Sequence, residues 1–88
     1  MISAVVLIEA EPADIATLAE QLVEIDRVSE VYSVTGEYDL VVMVRVREHV
    51  ELAEVVTGHI ARLGGIRNTH TMVAFRTYRD ADFDWDFD

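Results

Sequence analysis

No cysteine occurs among the 88 residues, so neither a disulfide nor a thiolate metal site can brace the fold, and a cytoplasmic location is the simpler expectation. No apolar stretch approaches the ~18 residues that a membrane-spanning helix needs, which excludes an integral membrane protein of that kind. Basic residues are scarce, seven against seventeen acidic ones, for a formal net charge of -10. Such a balance repels phosphate backbones and offers no basic stripe, so direct nucleic-acid binding is not expected. Enzyme signatures are lacking too: there is no HExxH, no GxSxG, no GxxxxGK[ST] and no GxGxxG after a strand. Gly58, Gly64 and Gly65 make no phosphate cradle, and His49, His59 and His70 lack the spacing of a shared metal site. No catalytic role, cofactor or metal is expected.

What is plentiful is apolar surface. Hydrophobic residues make up 51% of the chain, yet a domain this small buries only somewhat more than ~60% of its unfolded surface. With no covalent staple, oligomerisation is the remaining reinforcement, and a partner subunit is expected.

Met1 to Ile8 is apolar but is followed at once by Glu9 and Glu11, with no basic leader or small-residue cleavage site, and Ile2 to Ile8 is predicted to be a strand covered on both faces. Pro12, the sole proline, suits a first helical turn, and Ile15, Leu18, Ala19, Leu22 and Ile25 then recur at helical spacing. Val28 to Thr35 alternates as a strand, and after Gly36-Glu37 a second strand pattern runs from Tyr38 to Arg47. Leu52, Val55, Val56, Ile60 and Leu63 mark another helix, with Gly64-Gly65 as its left-handed stop. Ile66 to Tyr78 alternates again, Thr69, Thr71 and Val73 in one row and His70 and Met72 in the other.

The order is β-α-β-β-α-β, and right-handed crossovers place both helices on one side of a four-stranded antiparallel sheet. This predicts an α+β, ferredoxin-like domain over residues 1–79, with strands one and three central, where Val, Leu and Ile are densest. Because helices cover one sheet face alone, two sheets are expected to stack in a homodimer.

Two segments carry candidate chemistry. In Val34-Thr35-Gly36-Glu37-Tyr38-Asp39-Leu40, turn amides can hold an α-carboxylate while Asp39 accepts from an α-ammonium and Tyr38 walls the pocket. Gly and Asp are also ordinary turn residues, so a plain hairpin explains the same letters. Thr69 and Thr71 put two hydroxyls on one strand face, where they can orient a ligand or simply serve as good strand residues.

Val28 to Leu40, with its T-G-x-Y-D turn, and Leu63-Gly64-Gly65-Ile66-Arg67-Asn68-Thr69-His70-Thr71-Met72-Val73, with G-I-x-x-T-x-T, together resemble the Lrp/AsnC regulators. The resemblance runs over roughly residues 2 to 78 and corresponds to that family's C-terminal effector domain. It implies dimers formed through the sheets, ring-like assembly of dimers, and an amino-acid effector bound between them. By position, Gly36, Glu37, Tyr38, Asp39, Leu40, Thr69 and Thr71 fall on the effector site it implies. Full-length members carry an N-terminal helix-turn-helix domain, and this sequence starts at the first strand of the effector domain. A stand-alone sensor is therefore expected, with a full-length regulator of the same family as a candidate partner. A dimeric α/β-barrel monooxygenase and an ACT-type module share the strand order. The first needs a reactive pocket between helices and sheet, and the second lacks the Y-D turn paired with T-x-T.

The end of the chain departs from the family pattern. In residues 80–88, Asp80, Asp82, Asp84, Asp86 and Asp88 alternate with Ala81, Phe83, Trp85 and Phe87. A disordered solubilising tail and a segment packing on a neighbouring subunit both fit this composition.

Overall fold

A computed structural model describes residues 1–80 of the chain. The strands are β1 (Ile2–Ala10), β2 (Val28–Ser33), β3 (Leu40–Val46) and β4 (Ile66–Val73), joined antiparallel in the order β2-β3-β1-β4. The two valine-rich strands are central, as the sequence predicts. Alternation along β1 sends Ala4, Val6, Ile8 and Ala10 into the core, opposite Leu40, Val42, Val44 and Val46 of β3. Burying each of the larger ones contributes roughly 1.5–3 kcal/mol.

A 3₁₀ turn at Pro12–Asp14 leads into α1 (Ile15–Val23), whose Leu18 and Leu22 are buried against the sheet. The second helical segment departs from regular winding. It begins as α2 (His49–Ala53), widens into a π turn over Glu54–His59 and closes with a 3₁₀ turn at Ile60–Arg62. The buried residues are Leu52, Val55 and Ile60, and the last two stand five apart, a spacing that regular α-helix would rotate off the face. Bonding of the Ile60 N–H to the Val55 carbonyl restores the match, leaving His59 outside and Ile60 fully buried. The β-branched run Val55-Val56-Thr57 followed by Gly58 is weak helix sequence, and the Thr57 hydroxyl donates to the Ala53 carbonyl at 2.6 Å.

Element ends differ from the sequence expectation where backbone partners run out. β2 stops at Ser33 and β3 starts at Leu40, because the Val34 N–H already closes the hairpin on the Asp39 carbonyl at 3.0 Å. β4 stops at Val73, beside Ala4, and one last bond from the Ala74 N–H reaches Ser3 near the beginning of β1. Of the two glycines after the second helical segment, Gly65 alone takes a positive φ, +91°.

The helices cover the face of Val6 and Val42. On the opposite face Val5, Leu7, Val41 and Met43 are half-buried at the centre, with Tyr32 and Met72 at 47% and 46% exposure on either side. The sequence expectation of apolar groups on both faces of β1 therefore holds. Residues 81–88, which carry most of the acidic and aromatic alternation, lie outside the described residues.

Candidate functional site

The turn between β2 and β3 spans residues 34–39 and stands exposed from Val34 to Glu37, with Gly36 at φ +114°. Only glycine occupies that conformation without strain, so an apex open to solvent is built into the sequence. Three hydrogen bonds anchor the turn's far end through Asp39. Its N–H donates to the Ile8 carbonyl at 2.8 Å, its carbonyl accepts from Val34, and its carboxylate Oδ2 accepts the Ala10 N–H at 2.8 Å.

The last of these has a clear cause. The β1 register shifts between Glu9 and Ala10, and such a bulge removes a backbone group from its ladder partner. Ala10 is 3% exposed, and a buried N–H left unpaired costs about 1–3 kcal/mol. Asp39 supplies the missing acceptor. The carboxylate that the sequence reading offers to an ammonium is thus half committed to β1, through Oδ2, and Oδ1 is the atom it can turn to a second donor.

The other candidates divide between the two sheet faces. Thr69 pairs with Ile8 and Thr71 with Val6, which puts both threonines on the helix-bearing face. They remain exposed there because β4 is an edge strand. Leu40, Ile8 and Thr69 lie on one row across three strands, so the turn and the threonines share one end of the sheet. The side chain of Leu40 is fully buried in the core and is not presented to a ligand. Glu37 is exposed at the turn.

Tyr38 is half-buried, and its ring lies 6.5 Å from that of His70, tilted by 57°. His70 pairs with Leu7 and so belongs to the open face. Sequence reasoning missed this contact, since Tyr38 lies in a turn whose direction no periodicity sets. Tyr32, also on the open face, donates from its hydroxyl to Glu30 Oε2 at 2.7 Å, and this bond raises its pKa above the ordinary tyrosine value. Cavities of about 310 and 480 Å³ lie elsewhere, one between α1 and Gly64-Gly65 and one around Arg27, Arg45 and Arg47. Neither includes a candidate ligand residue, so within one chain the turn and the threonines border open solvent.

A four-stranded β-α-β-β-α-β sheet with one bare apolar face, an anchored glycine turn and a threonine pair defines a ferredoxin-like domain of the effector-binding kind. A family model described as the Lrp/AsnC ligand binding domain matches residues 3–82. The chain belongs to the Lrp/AsnC family, a family of transcriptional regulators, and corresponds to its ligand-binding domain.

The protein TTHA0845 of Thermus thermophilus is similar in structure, with 46% identity and a TM-score of 0.86, over 91% of this chain and 100% of that one. AsnC of E. coli shares the fold at 25% identity and a TM-score of 0.80, over 86% of this chain and 52% of that one. The HTH-type transcriptional regulator FL11 of Pyrococcus abyssi is 34% identical over 77 residues, which are 88% of this chain and 50% of the relative. The chain thus spans about half the length of the curated relatives it matches.

Proposed function

We propose that this domain senses an amino acid or a similar small carboxylate, which it binds between copies of itself, and that it regulates transcription or metabolism through its partners instead of performing catalysis. The observation that carries this reading is the pairing of an exposed glycine turn, fixed to β1 by Asp39, with the exposed Thr69 and Thr71 at the same end of the sheet. Amides at the turn and hydroxyls on β4 suit a carboxylate, while Oδ1 of Asp39 suits an ammonium. The groups are positioned but uncovered, and specific small-molecule sites bury most of the ligand. A second chain supplies the cover.

The bare sheet face supports the same reading. Val5, Leu7, Val41 and Met43 form an apolar centre of the kind that isolated chains bury by self-association. Membership in a ligand-binding family supports the effector, and the names of the curated relatives support a regulatory role. Among the described residues no helix is long and apolar enough to cross a membrane. A thermal-shift screen of the free amino acids tests the proposal, because a ligand that binds only the folded assembly raises its melting temperature by mass action. At least one amino acid is expected to do so in a concentration-dependent way. A flat response across all of them, at millimolar concentration, contradicts it.

A further inference from the structure

All seven basic residues of the chain are arginines, and three of them, Arg27, Arg45 and Arg47, line one cavity of about 480 Å³. In a chain with seventeen acidic groups this is a marked segregation of positive charge. Arg27 is engaged there, its guanidinium 2.8 Å from Glu51 and 3.7 Å from Asp26. Arg45 and Arg47 are exposed and make no ion pair among the described residues. Val46 and Met1 add apolar surface to the same cavity.

The place where the chain leaves the sheet is close by. Ser3 pairs with Arg45 on one side, and on the other its carbonyl accepts the Ala74 N–H at 2.9 Å. Ala74 is therefore two strand spacings from Arg45, roughly 10 Å. The stretch from Ala74 to Asp80 can extend roughly 20 Å, so residues 80–88 start within reach of the cavity.

We infer that the arginine cavity is the docking site of this chain's own segment 80–88, with aspartates meeting Arg45 and Arg47 and an aromatic ring lying on a guanidinium plane. Charge and chemistry match: the segment carries five of the chain's acidic residues and three aromatic ones, Phe83, Trp85 and Phe87. Guanidinium groups pair with carboxylates in forked geometry and stack on aromatic faces. Individual exposed ion pairs contribute little, but a short tether holds the segment at an effective concentration on the order of millimolar, so weak contacts add up. The inference is independent of the effector reading, since no turn or threonine residue takes part.

Trp85 is the sole tryptophan, so its emission reports on the segment alone. Emission maximum and acrylamide quenching are measured on the full chain, on Arg45→Gln/Arg47→Gln, and on Arg62→Gln/Arg67→Gln, which loses the same charge elsewhere. In the parent, Trp85 is expected to be shielded from quencher and to become accessible as salt is raised, because screening weakens exposed pairs. The Arg45/Arg47 variant is expected to show red-shifted, fully quenchable emission without salt dependence, and the Arg62/Arg67 variant to match the parent. Emission already that of free tryptophan in the unaltered chain overturns the inference without any substitution. Equal behaviour of the two variants overturns it as well.

Discussion

The carboxylate of Asp39 and the backbone N–H of Ala10 meet at 2.8 Å, twenty-nine residues apart in sequence, where a bulge strips Ala10 of its ladder partner. This bond ties the glycine turn to the central strand. Replacing Asp39 with alanine leaves the buried N–H unpaired and is expected to cost about 1–3 kcal/mol. Asparagine retains a side-chain oxygen at the same place and is expected to recover much of that loss. Urea unfolding of the parent and both variants checks the order. An Asp39→Ala midpoint equal to the parent's means that the bond contributes nothing to the fold.

Glu51 closes the second helical segment onto β3 and the loop after α1. Its Oε1 accepts the N–H groups of Arg47 at 2.7 Å and Glu48 at 3.0 Å, and its Oε2 lies 2.8 Å from Arg27. The Arg47 backbone bond, then that of Glu48, with Arg27 adding to them, hold its pKa below the usual 4.5. A depressed folded-state pKa contributes stability that is complete above the unfolded value and is lost as pH falls through the folded one. The parent should therefore lose stability below about pH 4.5 more steeply than Glu51→Gln. Melting temperatures from pH 6 downward, on the order of half a unit apart, measure this difference, and parallel curves would remove Glu51 from the account.

Much of the architecture is legible in the sequence because burial follows period. Val6, Ile8, Val42 and Val44 alternate as strand residues must, and Leu18 and Leu22 share a helical face, so the central strands and α1 stand out without tertiary information. The wide turn at Glu54–His59 is hidden for the same reason. Helical counting accepts Val55, Val56 and Ile60 as one stripe, whereas the core selects Val55 and Ile60 and pushes Val56 to its edge. At the candidate site, the turn and the Thr69/Thr71 pair are visible as residues. The service Asp39 performs for Ala10 depends on a bulge in another strand, and the approach of Tyr38 to His70 depends on a turn's direction. Neither is written in local periodicity.

The glycines offer a contrast within one chain. A Cβ on Gly65 would stand 2.8 Å from Asp14 Oδ2 and 2.9 Å from its Cβ, at φ +91°. Gly65→Ala is expected to destabilise by at least the roughly 1–2 kcal/mol that a left-handed residue costs. A Cβ on Gly58 meets nothing within 4 Å, and no positive φ is required there. Gly58→Ala is expected to stabilise by about 0.4–1 kcal/mol, mainly by restricting the unfolded chain. Chemical denaturation of the two variants reads opposite shifts if the winding at both places is right.

The central claim, that the effector is held between copies of the chain, is tested most directly by separating assembly from the binding residues. Leu7→Lys places a charge at the middle of the bare sheet face without altering the turn, Thr69 or Thr71. Light scattering behind a sizing column should show an assembled parent and a folded, monomeric variant. Calorimetric titration of both with the amino acid that gives the largest thermal shift then decides the matter. Binding present in the assembled parent and absent from the folded monomer is the predicted result. A monomer that binds the same amino acid with the parent's affinity would contradict it.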